Sequence, residues 1–437
     1  MKVLKFGGTS VGSAERIQHV ARLIGGECNI VVLSAMAGTT NSLIEISEYL
    51  YKKNPDGANE IANRLAVQYY EHVNGLFHTA EYKQRGKEMV GRFFDYIRTF
   101  TKDLFTLFEE RVILAQGELI STGLMHLYLQ EQGVDVVVLP ALDFMRTDKN
   151  SEPDPVYIRE KLLALLADSP KADVYLTQGY ICRNAYGEID NLQRGGSDYT
   201  ASLIGAAIHA EEIQIWTDID GMHNNDPRFV EGTAPVRRLH FEEAAELAYF
   251  GAKILHPTCI LPAKLNNIPV RLLNTMQPDA KGTLISNATD KGGVKAIAAK
   301  DNITAIRIKS GRMLLATGFL RKVFEIFENN QTPIDMVTTS EVGVSCTIDN
   351  RKRLDEIVDD LKKYGTVTVD CNMVIVCIVG DMQWQRPGFE ADIINALKDI
   401  PMRMISYGGS NYNVSILIKA DDKQRALVSL SNYLFKS

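Results

Sequence analysis

A lysine, two glycines and two hydroxyl side chains stand together near the start of the chain, in the run Lys5-Phe6-Gly7-Gly8-Thr9-Ser10. The run follows a short strand pattern and precedes a predicted helix, so the backbone N–H groups of its glycines can cradle a phosphate. It has neither the spacing of a Walker A loop nor that of a dinucleotide fingerprint. Taken alone, it fits a turn with a solvated lysine as well as a phosphate site.

A second polar run lies at the end of the next predicted strand. Ser34–Asn41 has the sequence SAMAGTTN and supplies hydroxyl and amide groups at the strand end where open α/β sheets bind ligands. Thr40 or Asn41 could instead cap a helix, although one cap does not account for the whole run. Glu118 falls in a helical pattern with apolar flanks, where a carboxylate needs a partner such as a substrate ammonium group.

A second glycine loop, Arg194-Gly195-Gly196-Ser197-Asp198, begins another predicted helix. The guanidinium group suits bidentate recognition of a carboxylate. A carboxylate beside a phosphate-binding loop is unfavourable unless it pairs with a lysine or a metal, so Asp198 indicates a functional role, with simple helix capping as the alternative. Further polar groups follow at Thr217–Gly221 and at Arg228, and a second lysine, Lys253, lies in the run GAKILHP.

Alternation of strand and helix patterns organises the first two thirds of the chain. It predicts an α/β domain with a mainly parallel sheet between helical layers. The predicted strands are Val3–Phe6, Asn29–Ala35, Asp135–Leu139, Asp173–Gln178, Ile213–Asp218 and Pro269–Asn274.

A polar, glycine-containing boundary at Asp279–Gly293 introduces a different pattern. Two βαββαβ units follow, the second of which lacks its last strand. We expect Val294–Ala299 to supply that strand, so that the first unit is inserted within the second. The predicted strands and helices of the two units are Asn302–Lys309, Gly318–Asn330, Ile334–Thr339, Val342–Ile348, Arg351–Tyr364 and Thr366–Cys371, then Met373–Gly380, Gly388–Leu397, Arg403–Ser406, Asn413–Ile418 and Asp422–Phe435.

Composition narrows the function classes. The chain has 437 residues, of which 45% are hydrophobic and 23% charged, as in ordinary globular proteins. A formal net charge of -6 argues against nucleic acid as a partner. The longest apolar runs are strand-sized and far shorter than the roughly 20 residues that span a bilayer, and the N-terminus lacks the pattern of a signal peptide. We therefore expect a cytoplasmic protein without a membrane partner.

Together, these motifs resemble those of the aspartokinases, in particular the monofunctional, lysine-sensitive type, over essentially the whole chain. The resemblance implies a catalytic amino-acid-kinase domain over residues 1–288 and a regulatory domain over 294–437. The regulatory domain would hold two intertwined ferredoxin-like ACT units, 302–371 and 373–437, the latter completed by 294–299. The motifs are KFGGTSV at Lys5–Val11, SAMAGTTN at Ser34–Asn41, GE at Gly117-Glu118, RGGSD at Arg194–Asp198, TDIDG at Thr217–Gly221 and GAKILHP at Gly251–Pro257.

The implied activity is transfer of the γ-phosphate of ATP to the β-carboxylate of L-aspartate, with Mg²⁺ carried by ATP and no metal site built by the protein. The resemblance makes Lys5 and Asp198 catalytic. Because the acceptor carboxylate is ionised at neutral pH, no general base is needed. The residues implied to bind ATP are Lys5, Gly7, Gly8, Thr217, Asp218, His223 (where the family commonly has an aromatic hydroxyl), Arg228, Lys253 and Ile254, and those implied to bind aspartate are Ser34, Thr40, Glu118 and Arg194.

Feedback control by lysine is also implied by the resemblance, with Asp335 and Glu341 facing the two ammonium groups of the effector. Ala316 replaces a hydroxyl common in the pocket. The ACT units imply a homodimer or homotetramer. The implied effector pocket consists of Met313, Gly318, Phe319, Leu320, Asp335, Ser340 and Glu341.

Two alternatives remain open at the level of sequence. One is a kinase that acts on another amino acid, such as glutamate; the pair of Arg194 and Glu118 favours a free amino acid. The other is an inactive amino-acid sensor, against which the presence of Lys5, Asp198 and Lys253 argues. The length of the chain leads us to expect no dehydrogenase half.

Overall fold

The computed structural model describes residues 1–25, 28–101, 104–192, 195–251, 256–288, 293–311, 317–382, 385 and 387–435. The chain divides into two units: Met1–Met222 with Leu255–Ala288, and His223–Ile254 with Thr289–Ser437. Residues 223–254 therefore pack with the second unit, although the sequence groups them with the catalytic segment 1–288. Each unit is built around its own sheet.

Strands and helices alternate along the first unit and recur in a different order in the second. The strands are β1 (Lys2–Phe6), β2 (Asn29–Leu33), β3 (Val136–Val138), β4 (Val174–Gln178), β5 (Ile181–Arg183), β6 (Ile189–Asn191), β7 (Ile213–Thr217), β8 (Arg238–His240), β9 (Val270–Asn274), β10 (Thr283–Ser286), β11 (Gly293–Lys309), β12 (Val337–Ser340), β13 (Gly343–Ile348), β14 (Thr366–Asp381), β15 (Met404–Ser406) and β16 (Asn413–Lys419). The helices are α1 (Ala14–Leu23), α2 (Thr39–Tyr51), α3 (Pro55–Leu76), α4 (Ala80–Thr99), α5 (Leu107–Glu131), α6 (Ala141–Phe144), α7 (Pro155–Asp168), α8 (Gly196–Ile208), α9 (Phe241–Tyr249), α10 (Leu261–Leu265), α11 (Phe319–Asn329), α12 (Leu354–Lys362), α13 (Phe389–Ala396) and α14 (Lys423–Leu434).

The sheet of the first unit has the order β3-β4-β2-β1-β7-β9-β10. All neighbours pair in parallel except β10, which runs antiparallel to β9. Every residue of β2 is buried, as expected for a central strand covered on both faces by helices. Because the central strands are parallel, the loops after β1, β2, β4 and β7 emerge at one edge of the sheet. The predicted α/β class is confirmed.

Helix α5 is the one helix in the described part of the chain that is long and apolar enough to cross a membrane. However, 83% of its most apolar stretch is buried within the protein. Its apolar side chains, among them Ile113, Leu124 and Met125, belong to the main core of the first unit. The helix is therefore accounted for as a core element, and it also carries Glu118.

The second unit contains one sheet of order β12-β13-β11-β14-β16-β15. Strands β11 and β14 are long and pass through both ACT-like halves. The first part of β11 pairs with the second part of β14, with Ile297 opposite Ile378, and its last residues pair with β13 and with the start of β14. Each long strand was predicted as two; the turn residues Asn302 and Asn372 have positive φ angles of 61° and 60° but do not end the strands.

Candidate active site

Lys5 and Asp198 form an ion pair at the carboxyl edge of the parallel sheet. The Lys5 Nζ atom lies 2.7 Å from Asp198 Oδ1, and the two side chains are only 12% and 14% exposed. Lys5 comes one residue before the end of β1, and Asp198 lies in the first turn of α8. A carboxylate is favourable there because the amino end of a helix carries partial positive charge. Two side chains far apart in sequence thus meet at the point where the sequence predicts a phosphate.

The glycine loop that follows β1 is fixed by its backbone. The Gly7 N–H donates to the carbonyl of Trp216 on β7 (3.2 Å), and the Gly8 carbonyl accepts from the N–H of Ala37 (3.1 Å). A Cβ atom added at Gly8 would lie 2.8 Å from the carbonyl oxygen of Ala35. The loop therefore approaches the next loop more closely than any side chain would allow, and glycine is required at position 8.

A cavity of about 410 Å³ lies beside this loop, within the first unit. It brings together three of the four residues predicted to bind aspartate, namely Ser34, Thr40 and Glu118, with Gly8 of the phosphate loop. Its residues are Gly8, Ser34, Ala35, Met36, Ala37, Gly38, Thr40, Asn41, Glu118, Tyr180, Gly196 and Ser197.

Glu118 is the most unusual titratable group in the cavity wall. It is 4% exposed, and one carboxylate oxygen, Oε1, accepts a hydrogen bond from the Ala35 N–H at 3.1 Å. The other oxygen, Oε2, has no hydrogen-bond partner among the described residues. Burial raises the pKa of Glu118 to about 8. A buried carboxylate oxygen without a partner is costly, so the site favours a cationic ligand at this point.

Tyr180 is a cavity residue that the sequence reasoning missed. It comes two residues after β4, has a positive φ of 67°, and donates its backbone N–H to Thr200 Oγ1 on α8 at 3.0 Å. Burial raises the pKa of its hydroxyl to about 12, so the hydroxyl remains a donor at neutral pH. Its place after a central parallel strand was the available signal, because such strand ends face ligands.

The remaining predicted ATP residues lie in both units. In the first unit, the Thr217 hydroxyl ends β7 and donates to Asp218 Oδ1 at 3.1 Å. In the second unit, His223 Nδ1 lies 2.9 Å from the Thr233 hydroxyl. Also there, the Arg228 guanidinium grips Asp226, with Nη2 to Oδ2 at 2.6 Å, and this hydrogen bond lowers the pKa of Asp226.

Part of the predicted site lies outside the described residues. This applies to Arg194 of the aspartate set, to Lys253 and Ile254 of the ATP set, and to Met313 and Ala316 of the effector set. Among the described residues, no group of three or more His, Cys, Asp or Glu side chains is arranged to hold a metal ion.

The predicted effector residues that are described belong to the second unit. Asp335 is the buried member: its side chain is 2% exposed, and its Oδ1 lies 2.6 Å from Lys300 Nζ. Oδ2 has no hydrogen-bond partner in the described part of the chain. Gly318 caps α11 with a φ of 84°, and Phe319 packs into the core of the first ACT-like half. Leu320, Ser340 and Glu341 are exposed.

Comparison with known proteins gives one consistent family. Residues 1–274 match the amino acid kinase family and residues 376–434 match the ACT domain family. Aspartokinase 3, chloroplastic, of Arabidopsis thaliana is 34% identical over 481 residues, which cover 100% of this chain and 82% of that protein.

Two crystal structures of E. coli aspartokinase III are also similar to this chain. The complex with aspartate and ADP, in the R-state, has a TM-score of 0.85 and 30% identity, and covers 100% of both chains. The complex with lysine and aspartate, in the T-state, has a TM-score of 0.82 and 32% identity, and covers 100% of this chain and 99% of the other. The similarity thus extends along the whole sequence.

Proposed function

Because this chain belongs to the aspartokinases, phosphotransferases of the amino acid kinase family, we propose that it transfers the γ-phosphate of ATP to the β-carboxylate of L-aspartate. The product is 4-phospho-L-aspartate, the first intermediate of lysine, threonine and methionine biosynthesis. The observation that carries the proposal is the cavity in which the partnerless Oε2 of Glu118 lies in the same wall as the Gly8 phosphate loop, as far as the described residues show.

Aspartate binds in that cavity through both of its charged ends. Its ammonium group pairs with Glu118 Oε2 and supplies the missing partner. The hydroxyls of Ser34 and Thr40 and the guanidinium of Arg194 hold its carboxylates. Tyr180 closes one side of the cavity.

The chemical step depends on charge and position rather than on a proton transfer. The β-carboxylate of aspartate is ionised at neutral pH, with an ordinary pKa near 3.9, and attacks the γ-phosphorus without a general base. Lys5 offsets the negative charge that spreads over the transferring phosphoryl group. Asp198, 2.7 Å from the Lys5 ammonium, fixes the direction in which that charge points. The N–H groups of the glycine loop hold the phosphate in line with the acceptor.

ATP binding completes the site. The residues that we assign to it beyond Lys5, Gly7 and Gly8 are Thr217, Asp218, His223, Arg228, Lys253 and Ile254. Mg²⁺ enters with the phosphates of ATP, which fits a described donor set without three clustered metal ligands. When bound, the ion neutralises phosphate charge during the transfer.

Regulation is assigned to the second part of the chain. We propose 1–288 as the catalytic domain and 294–437 as the regulatory domain, with lysine as the inhibitor and a homodimer or homotetramer formed through the ACT units in the cytoplasm. The E. coli relative was crystallised with lysine and aspartate. Asp335 is the residue best placed by chemistry to receive an ammonium group, since its buried Oδ2 has no hydrogen-bond partner among the described residues. Met313, Gly318, Phe319, Leu320, Ser340 and Glu341 are assigned to the same pocket.

The proposal is tested by ADP release from ATP and Mg²⁺ with L-aspartate or L-glutamate as acceptor. We expect release that depends on aspartate and Mg²⁺, and a hydroxylamine-trappable acyl phosphate as product. Glutamate should support little turnover, because its extra methylene moves the acceptor carboxylate away from the phosphate. Turnover that is independent of aspartate would overturn the substrate assignment. Addition of lysine, threonine or methionine to the same assay tests which amino acid inhibits.

A further inference from the structure

Helix α9 belongs to the second unit although it lies within the residues that match the amino acid kinase family. Polar or aromatic side chains recur every third residue on it, at His240, Glu243, Glu246 and Tyr249. Residues three apart lie on one face of a helix. That face is directed at the regulatory sheet of the same unit, and the segment that follows it leads to Lys253, to which we assign ATP binding.

Two of these side chains are tied to the sheet by charge. Glu243 is buried and its Oε2 lies 3.4 Å from Lys295 Nζ on β11. Asn413, at the start of β16, donates its side-chain amide to Glu246 Oε2, and burial raises the pKa of Glu246. The first two turns of α9 are thus anchored to the sheet independently of any effector residue.

The last residue of α9 contacts the effector pocket instead. The Tyr249 hydroxyl donates to Asp335 Oδ1 at 2.9 Å, and Lys300 Nζ lies 2.6 Å from the same oxygen. Lys300 also lies 3.0 Å from Asp349 Oδ2 and stands 4.4 Å from the centre of the Tyr249 ring. Any cation that enters at Asp335 must therefore share that carboxylate with Tyr249 and Lys300.

The chain leaving α9 is held at a second point. Gly251 has a φ of 127°, and a Cβ atom at this position would lie 2.4 Å from the Ala299 carbonyl oxygen on β11. Only glycine allows this approach. Tyr249 and Gly251 together fix the direction in which the chain continues, two residues before Lys253.

We propose that Tyr249 is a positioning residue that couples occupancy of Asp335 to ATP binding. Its hydroxyl, bonded to Asp335, holds the end of α9 so that the following segment presents Lys253 to the nucleotide. An effector ammonium that takes over Asp335 releases the hydroxyl, and the end of α9 shifts. This inference rests on the proposed roles of Asp335 as effector residue and Lys253 as ATP ligand.

The test uses the full-length chain with Tyr249→Phe, which removes one hydroxyl, and Glu246→Gln, which keeps an acceptor for Asn413 on the same helix face. Steady-state kinetics give kcat and KM for ATP and for aspartate, and calorimetry gives the Kd of L-lysine. For Tyr249→Phe we expect KM for ATP to rise about threefold or more, with KM for aspartate and kcat within about twofold of wild type. Lysine should bind within about threefold of its wild-type Kd, while inhibition at saturating lysine falls below about half.

Loss of inhibition with retained lysine binding is a result that simple destabilisation of the fold does not produce. Glu246→Gln should behave as wild type in every readout. A Tyr249→Phe enzyme with wild-type KM for ATP and full inhibition by lysine overturns the inference. If the wild-type chain binds no lysine, the effector assignment is wrong instead, and KM for ATP still decides the role of Tyr249.

Discussion

Glu118→Gln is the substitution that tests the substrate site most directly. The folded protein holds a proton on Glu118 up to about pH 8, whereas the unfolded chain loses it near the ordinary value of 4.5. Each unit between the two pKa values is worth about 1.4 kcal/mol, so full ionisation of the buried group costs at most about 5 kcal/mol. The glutamine side chain of the variant does not titrate and keeps an acceptor for the Ala35 N–H.

The sign follows from which state holds the proton. Because the folded-state pKa is raised, the folded protein binds the extra proton between about pH 4.5 and about pH 8, and stability falls as the pH rises through that window. Relative to Glu118→Gln, the wild type should lose about 3 to 4 kcal/mol of unfolding free energy between about pH 5 and about pH 8, and no more above it. Saturating aspartate should reduce this difference, since its ammonium group stabilises the ionised carboxylate.

The assay is urea unfolding followed by the fluorescence of Trp216 on β7, in a Trp384→Phe background that leaves one of the two tryptophans. Glu48→Gln, at a position 61% exposed, is the control and should show no dependence on pH relative to wild type. The same Glu118→Gln enzyme should have a KM for aspartate about 10- to 100-fold higher, as expected for loss of a charged hydrogen bond. Parallel stability curves for wild type and Glu118→Gln from about pH 5 to about pH 9 would refute the reasoning.

Three further substitutions test other contacts. Lys5→Ala should lower kcat about 10²- to 10³-fold in the ADP-release assay with an unchanged unfolding midpoint, whereas Lys362→Ala, at an exposed lysine, should leave kcat unchanged. Gly8→Ala should raise KM for ATP and lower the thermal midpoint by forcing two loops apart, while Gly25→Ala, where nothing lies within 4 Å, should change neither. Lys300→Ala should cost about 2 to 4 kcal/mol in urea unfolding of the second unit, against little change for Lys362→Ala, because it leaves a buried carboxylate without its cation; equal midpoints for the two variants would contradict this.

The parallel sheet could be predicted from sequence because its strands are buried on both faces. The run Asn29–Leu33 is fully buried, and its apolar, β-branched character sets it apart from the helices around it. The hairpin of β5 and β6 was missed, since each strand has three residues and the pair includes Arg183 and Asp190. Such short strands are set by tertiary contacts rather than by local preference.

Polar residues misled the prediction where a long strand passes through them. Lys300, Asp301 and Asn302 looked like the end of one strand and the start of another. In the structure β11 continues, because β14 pairs with it on both sides of an irregularity at these residues. The cost of a positive φ at Asn302 is low for asparagine. Local composition signalled the irregularity correctly but could not show that the partner strand bridges it.

The candidate site shows the same division between chemistry and geometry. Residue types indicated that Asp198 needs a cation, and the structure puts Lys5 at 2.7 Å. Sequence could not show that residues 223–254 pack with the second unit, because their pattern continues that of the first. It also could not show that Oε2 of Glu118 is left without a partner among the described residues, which depends on how α5 meets the loop after β2.

The two carboxylates of the proposed site have opposite surroundings, and this separates their roles. Asp198 lies against a lysine, so its charge is already balanced and it can only direct that lysine. Glu118 is buried with no cation within reach among the described side chains, and burial raises its pKa to about 8. An incoming ammonium group removes that penalty, whereas an uncharged or anionic group does not. A phosphoryl acceptor that brings its own ammonium is therefore selected by Glu118, and its carboxylate, which needs no base, is left to meet the phosphate near Lys5.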